Sequence, residues 1–254
     1  MKIAACIKQV PTREWQPRID ESHAAVREQD ASFELNEPDA YALEEALRLR
    51  EAHGGEVVVC TAGPSRSGQV LREALARGAD RAIHVESDAL ARAGAFTVAG
   101  ALADALKDEH FDLILTGLQS DDQGAGQTGV VLAEKLGLPH ATIVMDVQLA
   151  DGGLRVKREL EGGWFQWVQL PLPALLTIQS GINQLRYATL KGIMAAKKKE
   201  IRKVTPSQTA AAHVRVARLD TPRKTKQTQM IAGSGPDAAR DLVRRLKDEA
   251  RVIE

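Results

Sequence analysis

The sequence predicts an α/β fold: a doubly wound, mostly parallel sheet with a small antiparallel extension and an extended C-terminal arm plus helix. Three observations predict it. From Lys2 to Val147 short apolar runs alternate with amphipathic stretches of helical spacing, the signature of a parallel sheet covered by helices on both faces. Within that region Phe111–Pro139 reads as a buried strand, a Gly- and Asp-rich loop and an amphipathic helix. Beyond Val147 the apolar period changes to two, as an antiparallel hairpin requires.

The elements follow in order. Lys2–Lys8, rich in Ala, Ile and Cys, is the first strand, and a polar segment with Pro11, Trp15 and Pro17 leads to a short hairpin around Ala25–Leu35. Asn36 reads as the N-cap of a helix with Pro38 in its first turn. Tyr41, Leu43, Ala46, Leu47 and Leu49 form its apolar face, and Gly54-Gly55 stops it. Glu56–Thr61 is the second strand, Arg66–Arg77 a helix ended by Gly78, Arg81–Val85 the third strand, Ala91–Lys107 the third helix and Asp112–Thr116 the fourth strand. After Thr142–Val147, the segments Leu154–Leu160 and Trp164–Leu170 alternate around Glu161-Gly162-Gly163, and Ala174–Ile178 is a further short apolar strand. The remainder holds an exposed loop and short helix at Leu185–Lys199, a polar extended arm over about Val204–Ser234 and an amphipathic helix at Asp237–Arg251. An arm with so few apolar anchors stays flexible or wraps a partner. Right-handed crossovers favour the strand order 3-2-1-4-5, with a ligand over strands 1 and 4, where the winding reverses.

Phe111–Pro139 is the stretch around which the chain is organised. Leu113, Ile114 and Leu115 suit a strand buried on both faces. Gly117, Gly124, Gly126 and Gly129 permit close backbone approach. From Gln127 the pattern turns helical through Leu136, with Gly137 and Pro139 closing it. A loop at the carboxyl end of a parallel strand, opening into a helix whose free N–H groups attract anions, can seat a phosphate, with Gln127 and Thr128 adding side-chain donors. An ordinary Gly-rich connection without a ligand fits the same spacing.

Composition narrows the classes. Lys+Arg and Asp+Glu are both 34, so no global charge argues for nucleic acid or a membrane surface. No apolar run approaches the roughly 18 residues that cross a bilayer, and the N-terminus reads as a strand, pointing to the cytoplasm. Cys6 and Cys60 lie in strand-like runs and read as free buried thiols. The six histidines show no metal-ligand spacing.

Four stretches together carry a resemblance: Asn36–Glu45 (NEPDAYALEE), Gly117–Gly129 (GLQSDDQGAGQTG), Arg158–Gly163 (RELEGG) and Arg186–Lys199 (RYATLKGIMAAKKK). In that order they resemble the β subunit of electron transfer flavoprotein, from Met1 to about Ile201. With PALLTIQSGIN at Pro173–Asn183, the last two look closer to the methylotroph branch, which serves amine dehydrogenases, than to the mitochondrial branch. The resemblance implies an adenine nucleotide alpha-hydrolase-like fold over residues 1–200 and an arm and helix over 201–254 that wrap an α subunit. It implies a heterodimer in which the α subunit holds most of the FAD and this chain binds a structural AMP, with no catalysis of its own. The AMP contacts carried over are Cys6, Asn36, Asp39, Ala62 and the loop Gly117–Thr128, including Gln119, Asp122, Gly126, Gln127 and Thr128. At Gly126 the mitochondrial branch has a side-chain amide, so only backbone N–H can donate here.

The same resemblance makes Glu159 a carboxylate facing an arginine of the mobile flavin domain; a solvated hairpin charge is the bland reading. Trp15 approaches the flavin or the interface, or simply packs. Tyr187, Leu190, Ile193 and Met194 fall in the partner-recognition segment, where an exposed leucine flanked by lysines suits a small hot spot; a core leucine of a short helix is the other reading. Lys191-Gly192 stands where the mitochondrial branch has a proline after the leucine. The run Lys197–Lys199 with Arg202 and Lys203 lacks the aromatic interleaving of a nucleic-acid surface.

The leading function is therefore an electron-transfer module, taking electrons from a flavin dehydrogenase through FAD and passing them to a quinone oxidoreductase or another acceptor. A bifurcating variant would place a second FAD where AMP sits. From other classes, the first part of the chain suits a stand-alone ATP-binding regulator, and an adenylating enzyme would need a Ser-Gly-Gly loop where this chain reads Ile7-Lys8-Gln9-Val10-Pro11.

Overall fold

A computed structural model of the chain describes residues 1–150, 152–206, 216–222 and 228–253. They fall into two compact units, Met1–Ala217 and Arg218–Glu254. The first holds strands β1 (Lys2–Cys6), β2 (Gln9–Pro11), β3 (Phe33–Leu35), β4 (Glu56–Gly63), β5 (Arg81–Glu86), β6 (Leu113–Gly117), β7 (His140–Ala150), β8 (Gly153–Glu159), β9 (Phe165–Pro171), β10 (Ala174–Ile178) and β11 (Ile201–Val204). Its helices are α1 (Glu37–His53), α2 (Gly68–Arg77), α3 (Ala95–Leu106), α4 (Thr128–Leu136) and α5 (Leu190–Ala196).

The main sheet runs β11-β5-β4-β1-β6-β10-β7-β8-β9. Its body is parallel, and β7, β8 and β9 pair antiparallel. The period-two alternation of β1 sorts its side chains between two cores. Ile3 and Ala5 pack with Leu43, Leu47, Leu71 and Leu75 of α1 and α2. Ala4 and Cys6 pack with Ala99, Leu102, Leu106 and Leu132 of α3 and α4. Helices thus cover both faces, and the winding reverses between β1 and β6, where a ligand crevice is expected.

The expected 3-2-1-4-5 order is interrupted once: β10 lies between the fourth strand, β6, and the fifth, β7. All five residues of β10 are buried, so it requires neighbours on both sides. A second difference is β11, which extends the sheet beside β5 from a stretch without an apolar strand pattern. It is an edge strand carrying Arg202 and Lys203, which pair with Glu109 at 2.6 Å and Glu86 at 2.7 Å, and such charges blunt an open edge. The early hairpin also differs. Phe33–Leu35 pairs with Gln9–Pro11 rather than within 25–35, and the excursion between them is held by an Ile19–Val26 bridge.

In the second unit, α6 (Gly235–Arg244) continues into a wider turn over Arg245–Glu249, and none of its residues is buried. Much of the expected polar arm, at 207–215 and 223–227, lies outside the described residues. Among the described residues no helix is long and apolar enough to cross a membrane.

Candidate nucleotide site

A cavity opens at the carboxyl ends of β1 and β6 and runs to the start of α4. Of the residues carried over as nucleotide contacts, Cys6, Asn36, Asp39, Ala62, Gly117, Gln119, Gly126, Gln127 and Thr128 all line it. Asp122 does not. It sits beside the cavity and holds Lys8 Nζ at 2.7 and 2.8 Å, while Lys8 also donates to Ser120 Oγ at 3.2 Å.

The loop is fixed from α1. Asn36 occupies the N-cap position, but its side chain makes no capping bond. Its Nδ2 donates to the Gln119 carbonyl at 3.0 Å, and its Oδ1 accepts from the Asp121 N–H at 2.9 Å. Asp39 Oδ1 accepts from the Gly117 N–H at 2.9 Å and Oδ2 from the Lys8 N–H at 2.8 Å. Both residues spend their side chains on backbone, so they shape the cavity. Burial pushes the Asp39 carboxyl up to about 7, against the opposing pull of the Lys8 N–H, the Asn36 side chain and the Gly117 N–H. Arg13 bonds Glu37 and lies 3.7 Å from Asp121, tying the first loop to the same edge.

The helix end fits an anion. Gln127 stands at the α4 N-cap without a side-chain bond to the helix, which leaves the first N–H groups of α4 without a cap partner. Gly126 adopts a left-handed φ of 62°, and Gly129 lies so close to β6 and β10 that a Cβ there would stand 2.6 Å from Thr116 Oγ1 and 2.7 Å from Thr177 Cγ2. The opposite wall is apolar: Leu90, Ala91, Ala93, Val98 and Leu102 follow β5. Sequence reasoning missed this wall and Lys8. The small residues of Leu90–Ala95, at the carboxyl end of a parallel strand, were the available signal.

The remaining expected residues lie elsewhere. Trp15 is half-buried in a separate surface hollow with Arg18, Arg27 and Asp30. Glu159, at the end of β8, is half-buried and accepts from Gln179 Nε2 at 3.2 Å. Tyr187, Leu190 and Met194 are 90%, 84% and 62% exposed, and Ile193 is exposed too. Leu190 therefore opens a surface helix and is no core residue. Thr189 Oγ1 caps that helix by accepting from the Gly192 N–H at 3.0 Å. Arg72 Nη1, from α2, donates to the Ala196 carbonyl at 2.6 Å at its other end.

Comparison with known proteins adds the following. The model of the family described as "Electron transfer flavoprotein domain" matches residues 24–209. The chain is 38% identical over 256 residues to the electron transfer flavoprotein subunit beta of Methylophilus methylotrophus, covering 96% of this chain and 97% of that protein. It is 38% identical over 259 residues to the mitochondrial electron transfer flavoprotein subunit beta of Oryza sativa subsp. indica, covering all of both. With the electron transfer flavoprotein subunit beta of Homo sapiens it shares 33% over 258 residues, covering 99% of each.

Proposed function

The chain belongs to the electron transfer flavoprotein family, with similarity to beta subunits along its whole length, and from that premise we propose that it is the nucleotide-holding, non-catalytic partner in a cytoplasmic electron-transfer heterodimer. Its cavity takes AMP. The observation that carries this reading is one cavity with an apolar wall on one side and an uncapped helix N-terminus on the other, which suits a base and a phosphate respectively. Gln127 and Thr128, with the N–H groups at the start of α4, hold the phosphate. Asn36, Asp39 and the Lys8–Asp122 pair fix the loop that carries them.

An α subunit holds most of the FAD, which supplies the electron-transfer chemistry when bound. Glu159 and Trp15 face its flavin domain, and the exposed group Tyr187, Leu190, Ile193 and Met194 docks a flavin dehydrogenase. Electrons leave to a quinone oxidoreductase or another acceptor.

Co-expression with an α subunit, followed by denaturation and quantification of released nucleotides, tests this. One FAD and one AMP per heterodimer are expected. Two FAD without AMP would replace the reading by a bifurcating one, and ATP without flavin would sink it.

A further inference from the structure

The two cysteines of the chain face each other across neighbouring strands. Cys6 on β1 and Cys60 on β4 are register partners, and both side chains enter the core beneath α3 and α4. The Cys60 thiol donates to the Val58 carbonyl of its own strand at 4.0 Å, and both cysteines are free. Adjacent strands lie about 4.8 Å apart, inside the range of Cα separations that a disulfide bridges. Access differs between the two: Cys6 lines the cavity at 6% exposure, whereas Cys60 is fully buried behind it.

We propose that Cys6 and Cys60 form an oxidation-sensitive dithiol, in which hydrogen peroxide reaches Cys6 through the cavity and is attacked by its sulfur, Cys60 closes a cross-strand disulfide, and a nucleotide in the cavity shields the pair. The roles follow from access and acidity. The neighbouring Cys6 thiol, together with burial, pushes the Cys60 thiol up, so Cys60 is protonated and unfit to react first. In the first step the Cys6 sulfur displaces hydroxide from the peroxide: an S–O bond forms, the O–O bond breaks, and the thiol proton leaves with the hydroxide as water. In the second, the Cys60 sulfur attacks the Cys6 sulfenic acid: the S–S bond forms, the S–O bond breaks, and a second water carries away the Cys60 proton. Two thiols lose two electrons and two protons, and one peroxide becomes two waters.

The shielding rests on the nucleotide reading above; the dithiol does not. The test treats the purified heterodimer, as isolated and after its nucleotide is stripped, with hydrogen peroxide. Each sample is then alkylated under denaturing, non-reducing conditions, and this chain is weighed by mass spectrometry. The expected product is lighter by two hydrogens, takes no alkyl group, regains both alkylation sites with a reductant, and forms about tenfold faster in the stripped complex. In Cys60→Ser, oxidation is expected to stop at a Cys6 sulfenic acid trapped by dimedone. Two alkylations on every wild-type chain after peroxide would overturn the dithiol, and equal rates in the two preparations would overturn the shielding. A heterodimer isolated without nucleotide would refute the nucleotide reading, while its own disulfide measurement still decides the dithiol.

Discussion

Asp39 couples the cavity to pH. Its carboxyl is raised to about 7 by burial, whereas in the unfolded chain it titrates near the ordinary carboxylate value. Between those values the folded state binds the extra proton, so Asp39's contribution is full below about 4 and lost as pH rises through about 7. An amide in its place offers one acceptor to the two N–H groups of Lys8 and Gly117. Asp39→Asn is therefore expected to cost about 1–3 kcal/mol and to lack the wild-type decline in thermal stability between pH 5 and pH 8. Parallel melting curves at the two pH values would contradict the titration if wild type and variant showed the same slope. Gly129→Ala tests the close approach of α4. Its Cβ would meet Thr116 and Thr177 at distances no side chain tolerates, so a loss of about 1–3 kcal/mol and weaker nucleotide retention are expected in melting and nucleotide-release assays. Unchanged melting would show that α4 can slide off the sheet freely. At this scale the place of Gly126, Gln127 and Thr128 on the cavity was legible because glycines before a helical period mark the turn from strand to helix. Asn36 was read as a cap, since its sequence position is that of a cap; only the folded loop, 83 positions on, reveals where its amide goes.

Elements were legible where an apolar period stood behind them, as in β1, β4, β5, β6 and α1. The insertion of β10 and the pairing of β11 were not, because strand order depends on distant neighbours, and Ile201–Val204 carries its edge charges in a run that reads as a basic surface. One of those charges, Arg202, joins a cluster that binds the sheet at its amino end. Glu109, just before β6, receives Lys2 from β1 at 2.9 Å, Arg81 from β5 at 2.8 Å and Arg202 from β11 at 2.6 Å. Burial alone would raise its carboxyl, but the bonds from Lys2 and Arg81 outweigh that and hold it at about 2. Its contribution is thus present above the ordinary carboxylate range and lost as pH falls toward 2. Glu109→Gln is expected to lower stability at neutral pH and to flatten the loss seen in wild type between pH 4.5 and 2, measured by denaturant unfolding. A second clamp holds the segment that precedes α5. Arg186 grips the buried Glu44 with Nε at 2.7 Å and Nη2 at 3.1 Å, and also bonds Glu51. Arg186→Ala should cost about 1.5–3 kcal/mol and, on the docking role proposed above for the segment that follows, raise the KM for a dehydrogenase more than it lowers kcat. Lysine in its place should recover little, since it cannot form the bidentate bond.

Among the described residues a self-sufficient core stands beside apolar side chains left exposed to solvent. Met1–Ala217 contains both hydrophobic clusters. In Arg218–Glu254, by contrast, α6 buries none of its residues and exposes Leu242 and Val243. A helix of ten residues is marginal in water without an apolar face to dock, so docking would raise its helicity. The β8–β9 hairpin likewise presents Trp164, Phe165 and Trp167 to solvent, with Arg155 and Lys157 stacked over the last two rings. Exposed apolar groups of this kind suit an interface. Truncation after Ala217 is accordingly expected to leave a cooperatively melting α/β unit that retains the cavity but no longer co-purifies with a flavin-bearing α subunit. The full-length chain alone should bind a hydrophobic dye and gain helical circular dichroism when the α subunit is added. Co-purification of the truncated chain with flavin at full stoichiometry would assign assembly to the hairpin face, and a truncated chain that no longer melts cooperatively would show that the second unit completes the core. The two defects separate because one reads the sheet and its helices, and the other reads only what lies beyond them.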